Sequence, residues 1–249
     1  MTESADGAPP STPGAKMLYL IRRRPDVTHE ELVAHWFANH MPNVIRTQEQ
    51  QASSGRVHAR RYHATLFKAD RHGAHPWDGM AQLWFDRALP RPDVPHGTDP
   101  ADSFQERAEP YVPWATTEYV VLDGGDRLPI EPLTLNPPFP TTRSGFHKVT
   151  FLVAARDGAD TSALFAHWLG VHAANVADVM AAVGGFRYVI SHSVDPGVER
   201  FAGMAELYFP DEAAWAEFQN TIRSDGMEEW ADGRNTVVLR SNTEMIGIP

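Results

Sequence analysis

An internal repeat constrains this chain more than any other feature of its sequence. Residues 34–44 read AHWFANHMPNV and residues 166–176 read AHWLGVHAANV, so Ala, His, Trp, His, Asn and Val return at a constant offset of 132. Lys16 and Lys148 keep that offset and open the apolar runs MLYLI and VTFLV. Further on, GMAQLWF at 79–85 matches GMAELYF at 203–209, and Arg61-Tyr62 matches Arg187-Tyr188, at offsets of 124 and 126. Matched blocks in the same order, with small loop deletions in the second copy, are the signature of a duplicated supersecondary unit.

Each copy carries the same succession of periodicities. A β-rich apolar run at 17–23 or 148–155 predicts a first strand. A helix follows Thr28, where Thr-His-Glu-Glu forms a capping box, or Asp160-Thr161. Its apolar stripe runs through Val33, Trp36, Phe37, His40 and Val44 in one copy, and Phe165, Trp168, Leu169, His172 and Val176 in the other. Hairpins are expected from 57–68 with 77–86 and from 186–194 with 201–209. A second helix after Asp211 is plain in the second copy. In the first it is weaker, at 102–108, after the proline-rich stretch from Leu89 to Pro100. Strands at 114–122 and 235–246 close the units. The order βαββαβ predicts an α+β, ferredoxin-like module, twice over. The expected layout is a disordered tail at 1–15, modules at 16–123 and 146–249, and a linker at 124–145. Two such modules can cover each other's sheets as an intramolecular α+β barrel pair, so a monomer becomes plausible beside a homodimer.

Composition removes several function classes. Net charge is −10 among 249 residues, and the only cationic run, Arg22-Arg23-Arg24, reads as a solvated strand end, so no nucleic-acid partner is expected. Cysteine is absent, which excludes disulfides, thiolate metal sites and a cysteine nucleophile. No segment approaches the roughly 20 apolar residues that cross a bilayer, and the first residues lack a secretory pattern; a cytoplasmic protein is the expectation. His72 and His75 are the closest histidine pair and have no carboxylate in ligand spacing, so no metal is expected. Dinucleotide, Walker, serine-elbow and zincin motifs are all missing.

The stretch Pro25–Val44, with Thr-His-Glu-Glu-Leu, His-Trp and a second histidine five residues after the first, resembles the EthD-like family of the dimeric α+β barrel superfamily, and Thr161–Val176 looks like the same signature. Glu118 and Glu244 are similar to the family's glutamate near the last strand. The resemblance implies a pocket between sheet and helices lined by histidine and tyrosine. His40 and His172 would be catalytic, with Tyr62 and Tyr188 as phenolic partners. Spacings of i, i+4 and i+7 put Trp36, His40 and Asn43 on one helix face, and likewise Trp168, His172 and Asn175, which makes the tryptophans and asparagines candidate substrate contacts beside His63 and His192. A plainer reading stands next to each: a histidine on an apolar stripe is often a satisfied core residue, and the tryptophans are core anchors. His35 and His167 lie off the stripe and read as flank residues.

Three functions fit this pattern. One is an enzyme without metal or nucleotide that performs histidine acid–base chemistry (dehydration, cyclisation, decarboxylation or isomerisation) on a small apolar, carbonyl-bearing or aromatic compound. The others are a cofactor-independent oxygenase of an electron-rich aromatic, and a binding protein for a hydrophobic ligand or haem. Pro42, where the second copy has Ala174, is expected to disturb the first helix just after His40. That favours His172 as the working histidine.

Overall fold

The structure is a computed structural model and describes residues 8–69, 76–128 and 139–249. They fall into two compact units. The first unit is Gly14–Ala115 with residues 139–144 and Ser241–Pro249; the second is residues 8–13, Thr116–Leu128 and Gly145–Arg240. Each is a four-stranded antiparallel sheet with helices, so the chain is a tandem of ferredoxin-like α+β modules. His72 and His75 lie outside the described residues, as does part of the expected linker.

In the first unit the strand order is β1 (Ala15–Ile21), β3 (Gly79–Phe85), β2 (Arg61–Leu66) and the end of β8 (Val237–Ile248). In the second it is β5 (Thr141–Val153), β7 (Gly203–Phe209), β6 (Arg187–Ser193) and β4 (Trp114–Leu122). The registers repeat: Lys16 sits opposite Trp84 and Lys148 opposite Tyr208. Here the expectation that each copy keeps its own last strand is corrected. β4, which ends the first copy, pairs with β6 of the second, and β8 pairs with β2 of the first. Sequence periodicity specifies a strand and its faces but not its neighbour, because hydrogen-bonding edges carry no side-chain code. The tail is also shorter than expected: Ser11 bridges Tyr119, the Thr12 amide donates to the Glu118 carbonyl, and Ala15 already belongs to β1.

Both faces of β3 and β7 are buried along their whole length. Met17, Ile21, Tyr62, Ala81 and Leu83 face the first unit's helix, and Val149, Tyr188, Ile190, Ala205 and Leu207 join the second unit's core in the same way. Several of the alternate positions are buried and polar. In the second unit the Lys148 ammonium lies 2.6 Å from Glu206, and the Thr12 hydroxyl donates to Glu118. In the first, Arg143 meets Glu244 at 2.6 Å and Thr65 donates to the same carboxylate. Charges this deep persist only when paired and hydrogen-bonded.

The long helix of each copy starts as expected. Thr28 caps α1 (His29–His35) with a full capping box on Glu31, and Asp160 caps α3 (Thr161–His167). Neither helix then continues as a plain α-helix. Trp36–His40 and Trp168–His172 each form a π-helical turn, with the Met41 and Ala173 amides donating five residues back to the carbonyls of Trp36 and Trp168. The α-helix resumes as α2 (Met41–Ser53) and α4 (Ala173–Ala182). Pro42 therefore does not break the first copy's helix, contrary to expectation. It falls in the first turn of α2, where a missing amide hydrogen costs little, and the second copy makes the same wide turn with Ala174. In the first copy the i, i+7 partner of Trp36, Asn43, is exposed.

The tryptophan that opens each π turn dictates a glycine elsewhere. A Cβ on Gly79 would lie 2.7 Å from both the Thr65 carbonyl oxygen and the Trp36 ring. On Gly203 it would lie 2.7 Å from the Ser191 carbonyl oxygen and 2.9 Å from the Trp168 ring. The repeated Gly-Met-Ala opening of β3 and β7 is thus a packing requirement of the indole. After β7, Asp211 caps α5 (Glu212–Thr221). The weaker helix expected at 102–108 is instead a series of turns. Among the described residues no helix is long and apolar enough to cross a membrane. Gly79→Ala and Gly203→Ala should each destabilise the protein by about 1–3 kcal/mol through overpacking, read as a lower urea midpoint with unchanged slope; a neutral effect of either would contradict this packing.

Candidate functional site

The π turn ends on a histidine in both copies, and in both that histidine is bound to an aspartate. His40 Nδ1 is 2.7 Å from Asp102 Oδ2, and His172 Nδ1 is 2.7 Å from Asp225 Oδ2. Burial pushes the Asp102 carboxyl upward, but the hydrogen bond and charge of His40, with the amides of Gln105 and Phe104, hold it below its ordinary value. The carboxylate is ionised and can only accept, so the proton of this bond belongs to His40 Nδ1. Nε2 is then the basic nitrogen of the neutral ring. Asp225 is likewise opposed by burial and brought down, to about 2, by Asn175, His172 and the Met227 amide.

The two dyads sit in different surroundings. In the first unit a cavity of about 370 Å³ opens between the helix and the sheet. Trp36, His40, Val44 and Gln48 line it from the helix, Tyr19, Ile21, Ala81, Leu83 and Phe85 from the sheet. His96, Phe104, Gln105 and Tyr111 close it from the segment between β3 and β4. That segment is held by a pair of backbone bonds between His96 and Tyr111 and by the turn that Asp102 caps. The ring of Phe104 lies 4.4 Å from that of His40 and 5.2 Å from that of Trp36. Most of the wall is apolar, with a few polar groups converging, the usual make-up of a small-molecule site.

Burial tunes the polar groups of this wall. It raises the phenols of Tyr19 and Tyr111 to about 12, with neighbouring charge adding to it, so both stay protonated and able to donate. Burial and the nearby charge of His40 lower His96, which keeps that imidazole neutral at ordinary pH. The three rings form one cluster, Tyr19 to Tyr111 at 6.1 Å and His96 to each at 5.9 and 5.7 Å.

In the second unit the matching space is filled. Phe151, Val153 and Phe209 stand where Tyr19, Ile21 and Phe85 stand, and α5 drives Trp215 and Phe218 onto them. Trp215 lies 6.1 Å from Phe151 and 5.5 Å from Phe209, and the rings of Trp215 and Phe218 stack at 5.5 Å. His172 and Asp225 persist at the margin of this packing, supported by Asn175, which donates 2.7 Å to Asp225.

Other residues singled out by sequence fall in varied places. Trp36 lines the cavity, whereas Trp168 is core. Tyr62 and Tyr188 are fully buried, and each hydroxyl accepts a hydrogen bond from an indole, Trp36 at 3.0 Å and Trp168 at 3.4 Å; neither belongs to the cavity wall. Asn43 is exposed and accepts from Arg46, whereas Asn175 joins His172 on Asp225. His63 and His192 occupy opposite faces of their sheets: His63 packs on Trp84, and His192 stacks 4.1 Å from Phe165 with burial lowering it to about 3. His35 pairs with Ser103 at 2.8 Å. The sequence reading missed Asp102, Asp225, Tyr19, His96 and Tyr111. The aspartates were findable, since they recur at an offset of 123, close to the 124 of the β3 and β7 blocks. The aromatic wall had no repeat to reveal it. Among the described residues no cluster of three or more histidine, aspartate or glutamate side chains has metal-binding geometry.

The EthD domain matches residues 24–106 and 156–234. No curated protein matches the chain. Among solved structures, an anthrone oxidase-like protein superposes with a TM-score of 0.51 at 7% identity, covering 95% of this chain and 94% of that one. A mutant chlorite dismutase from Candidatus Nitrospira defluvii gives 0.47 at 11% identity, covering 93% and 92%. A heme-binding protein from Thermus thermophilus gives 0.40 at 12% identity, covering 98% and 95%. At these identities the likeness is one of fold.

The dyads give a pH prediction. A carboxyl whose folded pKa is depressed contributes stability that is full above its unfolded pKa near 4 and is lost as pH falls through the folded value. For Asp225 that window runs from about 4 down to about 2. Asp225→Asn should lose stability at neutral pH and flatten the pH dependence of the urea midpoint within that window; an unchanged slope would contradict the pairing.

Proposed function

The chain belongs to the EthD family, and from that premise we propose that it is an enzyme of acid–base chemistry on a small apolar, carbonyl-bearing or aromatic compound, working in the first copy alone. The observation that carries this reading is the placement of the His40–Asp102 pair on the wall of the 370 Å³ cavity. Asp102 holds Nδ1–H, and Nε2 takes a proton from a carbon or hydroxyl acid of the substrate. Tyr19 and Tyr111, protonated and buried, donate to the oxygen on which negative charge then develops. Van der Waals packing against Trp36, Phe104 and Leu83 orients the apolar body. This assignment favours His40 over His172, because a base needs room for a substrate and Trp215 and Phe218 occupy that room in the second copy. It also replaces Tyr62 and Tyr188 by Tyr19 and Tyr111.

Haem fits this cavity poorly. Its volume of about 370 Å³ is at the small end for a bound organic ligand. No step is therefore assigned to a cofactor.

The test follows exchange of carbon-bound hydrogen for deuterium in a panel of hydroxyaryl ketones and 1,3-diketones by proton NMR. His40→Ala should lower the rate with a responsive compound by roughly a hundred- to ten-thousandfold, while His172→Ala stays within a few-fold of the parent. Undiminished exchange by a folded His40→Ala protein, or equal loss from both variants, would sink the assignment. Oxygen uptake during turnover would move the chemistry to oxygenation of the same substrate anion.

A further inference from the structure

The loop between α2 and β2 and the end of β3 form a second concavity of about 370 Å³ in the first unit, lined by Arg56, His58, Arg60, Asp86 and Arg87 with Gly55 and Val57. Val57 also lines the cavity that holds His40, so the two adjoin. Three arginines and one aspartate line it, in a chain whose net charge is −10. The loop is tied in place by the Arg60 amide, which donates to the Trp84 carbonyl at the end of the sheet, and by the Ala59 amide, which donates to the side chain of Gln48; the Arg56 guanidinium donates to the Ser54 hydroxyl. Gln48 is itself a wall of the main cavity, so one side chain supports both spaces.

The second copy has none of this. Residues 54–60 are replaced by the short connection Val183–Phe186, and the position of Arg87 is taken by Asp211, which is consumed as the cap of α5. The cationic concavity is present only in the copy whose cavity is open. A solvated surface patch has no reason to follow the cavity in this way, whereas a subsite for the far end of the same ligand does.

We propose that the Arg56–Arg60–Arg87 concavity binds an anionic group (a carboxylate, sulfonate or phosphate ester) carried at one end of a ligand whose apolar body fills the cavity beside His40. The inference rests on the cavity reading given above and narrows the substrate class from any apolar compound to an amphiphile with an acidic tail. The chemistry divides cleanly, since among the described residues the cavity wall has no lysine or arginine and the adjoining concavity has three arginines. Guanidinium is suited to the role because its fork matches planar or tetrahedral oxyanions at two oxygens together.

Two fluorescent probes with the same fused and pendant rings test it: 8-anilinonaphthalene-1-sulfonate, which bears a sulfonate, and N-phenyl-1-naphthylamine, which does not. Titrated into the full-length protein, Arg60→Gln/Arg87→Gln should bind the sulfonate about tenfold more weakly and the neutral amine unchanged. Added salt should weaken only the sulfonate. Leu83→Trp, which fills the cavity, should weaken both probes. Equal binding of the sulfonate by parent and arginine variant, with the cavity variant still weakening both, would overturn the anion subsite and leave the cavity reading intact. Loss of neither probe in Leu83→Trp, confirmed folded by circular dichroism, would overturn the cavity reading and the subsite with it.

Discussion

The hydrogen bond between His40 and Asp102 joins the π turn to the segment between β3 and β4, which backbone bonds to Arg22 and Arg24 and between His96 and Tyr111 also hold. Asp102 spends one oxygen on the amides of Phe104 and Gln105, which shapes the turn, and the other on His40, which fixes the turn to the helix. Phe104 and Gln105 reach the cavity from that turn, and Tyr111 from its backbone pairing with His96. The same bond sets the tautomer of the histidine, so the contact that builds the wall also makes Nε2 its basic atom. Chemistry and architecture here have a common cause.

Duplication preserved the anchor and let its surroundings diverge. Both copies keep the capped helix, the π turn from tryptophan to histidine, the glycine under the indole and the histidine–aspartate pair. What changes is the element that follows the third strand. In the second copy it is α5, whose Trp215 and Phe218 complete a hydrophobic core. In the first it is a proline-rich segment without a helix, which leaves a space that its aromatic residues surround but do not fill. A dyad retained beside a filled core shows that the pair has structural value by itself, independent of any substrate.

Much of the fold was legible because it depends on periodicity and caps: the strand alternation, the Thr28 and Asp211 caps and the paired blocks all carry local signals. The exchange of β4 and β8 was not, since strand pairing depends on backbone edges. The π turn was invisible as well, and of the two asparagines expected beside the histidines Asn43 is exposed while Asn175 joins His172 on Asp225. The site was read only in part. His40 and Trp36 stood out through the repeat, while Tyr19, His96 and Tyr111 belong to what the second copy lost, and a comparison of copies favours what they share. For the same reason the more regular second copy drew the choice of His172, whereas the open cavity lies beside His40.

The most direct measurement is the tautomer of His40, read from long-range proton–nitrogen correlation of the histidine rings at neutral pH. The account predicts a protonated Nδ1 and a bare Nε2, with the Nε2 resonance alone moving when a cavity ligand is added and both features lost in Asp102→Asn. A neutral ring protonated at Nε2, or an Nε2 resonance indifferent to every cavity ligand, would contradict it.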